Sequence, residues 1–145
     1  MPDTNLDIEK LKNLQFKIMK DVAASALIPL MRIGDQLGLF QKLSELGPIN
    51  SKKFAEQVRV DERYLREWLY ALSATDFVSY DGANEEFSLS PEQKAVFADE
   101  EGPANMMGAY EVLAGQVYAE EKVLEAFKTG KGVAYENACP LCFTG

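Results

Sequence analysis

The stretch that limits this chain most is Asn50 to Ser90, NSKKFAEQVRVDERYLREWLYALSATDFVSYDGANEEFSLS. Asn50 or Ser51 can cap a short helix, since a side-chain oxygen there accepts from an unpaired amide of the first turn. The inner residues of that helix are Phe54, Ala55 and Val58, and Val60 falls in the turn that follows. Asp61 is a good cap for a second helix, in which Leu65, Trp68, Leu69 and Leu72 recur at i, i+3, i+4 and i+7 and form one core stripe. Phe77-Val78-Ser79-Tyr80 and Phe87-Ser88-Leu89 are short, aromatic and β-branched, and Asp81-Gly82-Ala83-Asn84 between them is turn chemistry. Helix, turn, helix and hairpin in that order predict a mainly α fold: a winged helix-turn-helix with a two-stranded β wing.

The flanks are helical and unusually apolar. From Asp7, Leu11, Leu14, Ile18, Val22 and Ala26 line one face, and the run Val22 to Met31 is apolar nearly all round. A helix without a polar side expects partners on more than one side. Pro29 must kink or restart it, because proline cannot donate to the helical ladder. Leu30, Ile33, Leu37 and Phe40 are expected to continue the core face, with Gly38 as a joint and Gly47-Pro48 as the stop. After the hairpin, Ser90-Pro91-Glu92-Gln93 combines a capping serine, a first-turn proline and a reciprocal glutamine. A long helix is then expected from Pro103 to about Lys128, closed by Gly130. Its seam is Met106, Tyr110, Leu113, Val117, Leu124 and Phe127, with a lapse at Glu120. The predicted organisation is an N-terminal helical arm over 1–19, the winged-helix domain over 20–98, a dimerisation or linker helix over 99–132, and an irregular tail over 133–145.

Charge narrows the partners. The chain of 145 residues has 23 acidic and 15 basic side chains, a formal net charge of −8 and no histidine. Binding nucleic-acid phosphates or anionic lipid needs neutralising Lys and Arg, so both are disfavoured. Over Ser51 to Ser90 five basic residues face eight acidic ones. The outward positions of the second helix, Glu62, Arg63, Arg66 and Glu67, cancel, and the wing carries Asp81, Glu85 and Glu86, which would repel a phosphate backbone. The longest apolar run, Val22 to Met31, falls well short of the roughly 20 residues of a membrane span. A cytoplasmic protein is expected.

The ordered series MRIGDQLGLFQKL, VDERYLREWLYALSATDFVSY, FSLSPEQKAVF and LEAFKTGKGVAYE resembles the N-terminal region of class I S-adenosylmethionine-dependent methyltransferases of the O-methyltransferase-like type, over about residues 20 to 137. In that family the region is a winged-helix domain that dimerises through interlocking helices and roofs the substrate pocket of a following catalytic domain. The resemblance therefore implies a homodimer through helices 7–46 and 103–128, and S-adenosylmethionine as the cofactor of a full-length member. It does not extend to a donor-binding loop. Gly130-Lys131-Gly132 is the only G-x-G and follows a helix, not a strand. No catalytic, cofactor-binding or metal residue is therefore expected in this chain, which ends about where the catalytic domain should begin and would be a fragment, an excised domain or a stand-alone remnant.

The substrate-pocket or dimer candidates are Met106, Met107, Tyr110, Leu113 and Val117, with plain core or dimer packing as the simpler reading. Cys139-Pro140-Leu141-Cys142 supplies only two ligands of the four a structural zinc site needs, which leaves incidental thiols. The carboxylate pairs Glu85-Glu86, Glu100-Glu101 and Glu120-Glu121 are expected on solvated faces. Two other functions compete with a dimerising cap: a winged-helix transcriptional regulator and a small-ligand adaptor.

Overall fold

The computed structural model describes residues 6–134; Cys139 and Cys142 lie outside them. Asp7 caps the first helix, α1 (Ile8–Ser25), by accepting from the amides of Glu9 and Lys10. The two hydrogen bonds hold its carboxyl below the usual carboxylate range, the one from Lys10 most. The chain turns at Ala26 and restarts as α2 (Leu27–Gln36). The break precedes Pro29 by one turn because proline has no N–H to offer the Ser25 carbonyl, four residues back. Gly38, with φ +63, makes the joint to α3 (Leu39–Leu46) in the left-handed region that favours glycine.

The central module has the order expected. Asn50 caps α4 (Ser51–Val58) and Asp61 caps α5 (Glu62–Ser73), each by accepting from the amide three residues on. The wing pairs β1 (Ser79–Asp81) with β2 (Glu86–Ser88) antiparallel, Tyr80 opposite Phe87. Asp81 holds the turn by accepting from the Ala83 amide and the Asn84 side chain. Ile49 exchanges two backbone bonds with Phe87, at 3.0 and 2.9 Å, and so lays the strand beside the end of α3. Ser90 and Gln93 form the reciprocal cap of α6 (Pro91–Phe97).

All four residues of the α5 stripe, Leu65, Trp68, Leu69 and Leu72, are buried, with Phe40, Leu43, Phe54, Val78 and Phe87. Trp68 meets Phe40 edge-on at 5.2 Å, and its indole N–H donates to the Leu30 carbonyl at 2.8 Å. That bond satisfies a polar group which burial would otherwise strand. Fully burying one side chain such as Phe54 or Leu69 stabilises the fold by about 1.5–3 kcal/mol.

Two expectations fail in the flanks. Ile33 and Leu37 are exposed, and Met31, Gly34 and Leu39 take the inner positions. Gly34 does so because its missing side chain lets Trp68 and Phe40 close against the helix. The single helix expected over 103–128 is two, α7 (Met107–Tyr118) and α8 (Glu120–Thr129), divided at the buried Ala119. Asn105 accepts from the Met107 amide and donates to the Asp99 carbonyl, which keeps the chain in turns until Met106. The division falls where the apolar seam lapses at Glu120. Glu120 and Glu121 then occupy the first turn of α8, a favourable place for carboxylates at a helix N-terminus. Among the described residues no helix is long and apolar enough to cross a membrane.

Candidate functional site

The helices outside the module leave apolar surface uncovered. α1 buries no residue, and Leu14, Phe16, Ile18, Met19 and Val22 are all exposed, Met19 by 67 %. α8 also buries none, and Phe127 is 86 % exposed. Isolated exposed apolar residues are ordinary, whereas large contiguous apolar patches are where partners commonly bind.

Between these helices α7 packs on α2. Arg32 clamps the pair: its Nε donates to Glu111 Oε1 at 2.8 Å and its second guanidinium nitrogen to Oε2 at 3.1 Å. The carboxylate raises the Arg32 pKa above its ordinary value. Beside the clamp lies an apolar cleft of about 440 Å³, lined by Ile28, Pro29, Ala114, Val117 and Tyr118. Asp35, one turn beyond Arg32, is pushed above the usual carboxylate range by partial burial and then by the nearby Glu111 and Glu100.

The five candidate residues do not share one environment. Met107 is buried and joins the core, and Tyr110 packs against that core half-buried, which raises its hydroxyl pKa. Met106, Leu113 and Val117 are exposed, and of the five only Val117 lines the α2–α7 cleft. The residues that give the cleft its other wall, Ile28, Pro29 and Arg32, were not singled out by spacing. Their signal was the run of apolar residues around Pro29.

The face of α5 that a nucleic-acid reader would use is self-neutralised. Arg66 donates to both oxygens of Glu62 at 3.3 and 3.2 Å, and the Ser51 hydroxyl donates to the same carboxylate. At the wing the Tyr70 and Tyr80 hydroxyls lie 3.4 Å apart, and that contact pushes the Tyr80 pKa up to about 12. Gly130, with φ +69, is the left-handed cap that ends α8, so the G-x-G serves the helix terminus and has no strand before it.

Two comparisons with known proteins bear on this architecture. Residues 23–98 match the Rv2258c-like winged HTH domain, so the family's description covers more than half of the chain. A crystal structure of a candidate O-methyltransferase from Nostoc punctiforme PCC 73102 superimposes with a TM-score of 0.58 at 20% identity, covering 85% of this chain and 36% of that one. The chain is thus similar in fold to about a third of that protein's length. No curated protein matches. The chain belongs to the family of Rv2258c-like winged helix-turn-helix domains.

Proposed function

We propose that this chain is the dimerisation and substrate-capping domain of a methyltransferase-like protein of the cytoplasm. Two copies would join through the helices of 7–46 and 103–128, and a following catalytic domain would hold S-adenosylmethionine. By itself the chain would transfer no methyl group. The observation that carries this reading is the apolar surface left open on α1 and α8, neither of which contributes a buried residue to the core. The fold shared with part of an O-methyltransferase candidate supports the assignment to that class. The apolar α2–α7 cleft is the surface that would face a substrate or a second copy. The Glu62–Arg66 pair and the acidic wing weigh against the alternative of a DNA-binding regulator.

Light scattering of the purified chain at micromolar concentration tests the reading. It should report twice the chain mass of 16.1 kDa, and calorimetry with S-adenosylmethionine should show no heat of binding. A monomer, or a clear binding isotherm, would count against it.

A further inference from the structure

A second cleft, of about 400 Å³, lies where the start of α4, the outward face of α5 and the turn of the wing converge. Clefts of that size hold small molecules. Two of its charges neutralise each other: Glu62 accepts from Arg66 at 3.3 and 3.2 Å, and it also accepts from the Ser51 hydroxyl at 2.8 Å. The other two, Lys52 on α4 and Glu85 in the wing, are opposite in sign and line the same cleft. Neither forms an ion pair among the described residues, so the two do not reach each other across it. At the Lys52 end, the amides of Ser51 and Lys52 are the first two of α4 and have no partner within the helix. The Asn50 side chain takes the Lys53 amide and the Asn50 carbonyl takes the Phe54 amide. At the other end, Asn84 gives its side-chain N–H to Asp81 at 2.8 Å, which leaves its amide oxygen as an acceptor next to Glu85. Glu85 itself stands at φ +55, in the left-handed region where glycine is the easier residue. The turn thus carries a carboxylate where backbone geometry alone favours a residue without one.

We propose that this cleft binds a small zwitterion of the amino-acid type, its carboxylate received by the Lys52 ammonium with the Ser51 and Lys52 amides, and its ammonium by Glu85 with the Asn84 side-chain oxygen. The balance of charge selects the class. A phosphate or another simple anion would meet Lys52 but be repelled by Glu85, and a simple cation would meet the reverse. A molecule with both signs satisfies both walls at once. Its contacts are charge-assisted hydrogen bonds, which are the stronger kind, and the N-terminal end of the α4 dipole favours the carboxylate on the Lys52 side. Tyr70 borders the cleft, its ring held edge-on to Phe87 at 5.3 Å, and gives the ligand's side chain an aromatic wall. The cleft shares no lining residue with the apolar one between α2 and α7, so it stands apart from the dimer reading.

Amide NMR of the full chain tests this by titration with L-glutamine and with γ-aminobutyrate, a zwitterion of longer reach. Glycinamide, which lacks the carboxylate, and N-acetylglycine, which lacks the ammonium, are the controls. At least one of the two zwitterions should move the amide signals of Ser51, Lys52, Asn84 and Glu85 saturably, and neither control should do so at the same concentration. Lys52→Gln and Glu85→Gly should each weaken that binding by about tenfold or more in Kd. Both positions are exposed, and glycine relieves the left-handed backbone at 85, so melting should show both variants folded and Glu85→Gly at least as stable as wild type. Saturable shifts with a control as large as those with the zwitterions would reveal a site for one sign of charge and overturn the proposal. So would the absence of a shift with both zwitterions, or an affinity unchanged in either variant.

Discussion

Arg32 and Glu111, 79 positions apart, meet through two hydrogen bonds of 2.8 and 3.1 Å and fix α7 on α2. Both side chains are partly exposed, so water screens the pair and its net worth is modest. The planar fork of arginine supplies the specificity. A double-mutant cycle of Arg32→Ala and Glu111→Ala, read by urea unfolding, should give a coupling of about 0.5–1 kcal/mol. Arg32→Lys should lose most of it, because an ammonium cannot present two parallel donors.

Close packing makes the next prediction larger. A Cβ at Gly34 would lie 2.5 Å from Trp68 Cζ2 and 2.7 Å from Phe40 Cε2, and both rings are held in the core. Gly34→Ala should therefore destabilise the fold by about 1–3 kcal/mol, by forcing those rings apart. Gly108, in the first turn of α7, meets nothing within 4 Å. Gly108→Ala should be neutral or stabilising by about 0.4–1 kcal/mol, through a less flexible unfolded chain. Thermal melting of the two variants side by side checks the contrast.

Two carboxyls should respond to pH with opposite sign. Asp35 has a raised pKa in the fold, caused first by desolvation, then by Glu111 and Glu100. A raised value means that the fold prefers the protonated form, so its contribution is present below the unfolded pKa and is lost as pH rises through the folded one. Asp35→Asn should raise the melting temperature at neutral pH, and the gain should vanish in acid. Asp81 has a lowered pKa, held down first by Asn84 and then by the Ala83 amide. Its contribution is present above the unfolded pKa and is lost as pH falls through the folded one. Asp81→Ala should lower the melting temperature at neutral pH and matter progressively less in acid. Melting curves across the carboxylate range separate the two cases.

The parts of the fold that were legible in the sequence are those whose causes are local. The caps at Asn50, Asp61 and Ser90 bond to amides three residues away, and the α5 stripe follows from helical periodicity alone. The wing was legible because Asp81 to Asn84 can only turn. The illegible parts depend on distant neighbours. Nothing near Gly34 announces that Trp68 will press on it, and nothing near Leu30 announces that its carbonyl will accept the indole proton. Ile33 and Leu37 fit the helical period yet face outward, because the period gives a stripe and the partner decides which stripe is covered. The division at Ala119 is visible only as the lapse at Glu120, which spacing alone does not distinguish from a tolerated interruption. The candidate site follows the same rule: Val117 lay on the apolar seam, and the wall formed by Ile28 and Pro29 appeared only when α2 and α7 were packed together.

Hydrogen exchange along α1, measured at several protein concentrations, tests the central claim most directly. α1 buries no side chain within one copy, so its helix has little tertiary support of its own and its amides should exchange fast in a monomer. The dimer account predicts that the amides of Ile8–Ser25 become protected as concentration rises, in step with those of α8. Rapid exchange throughout α1 at every concentration would contradict it.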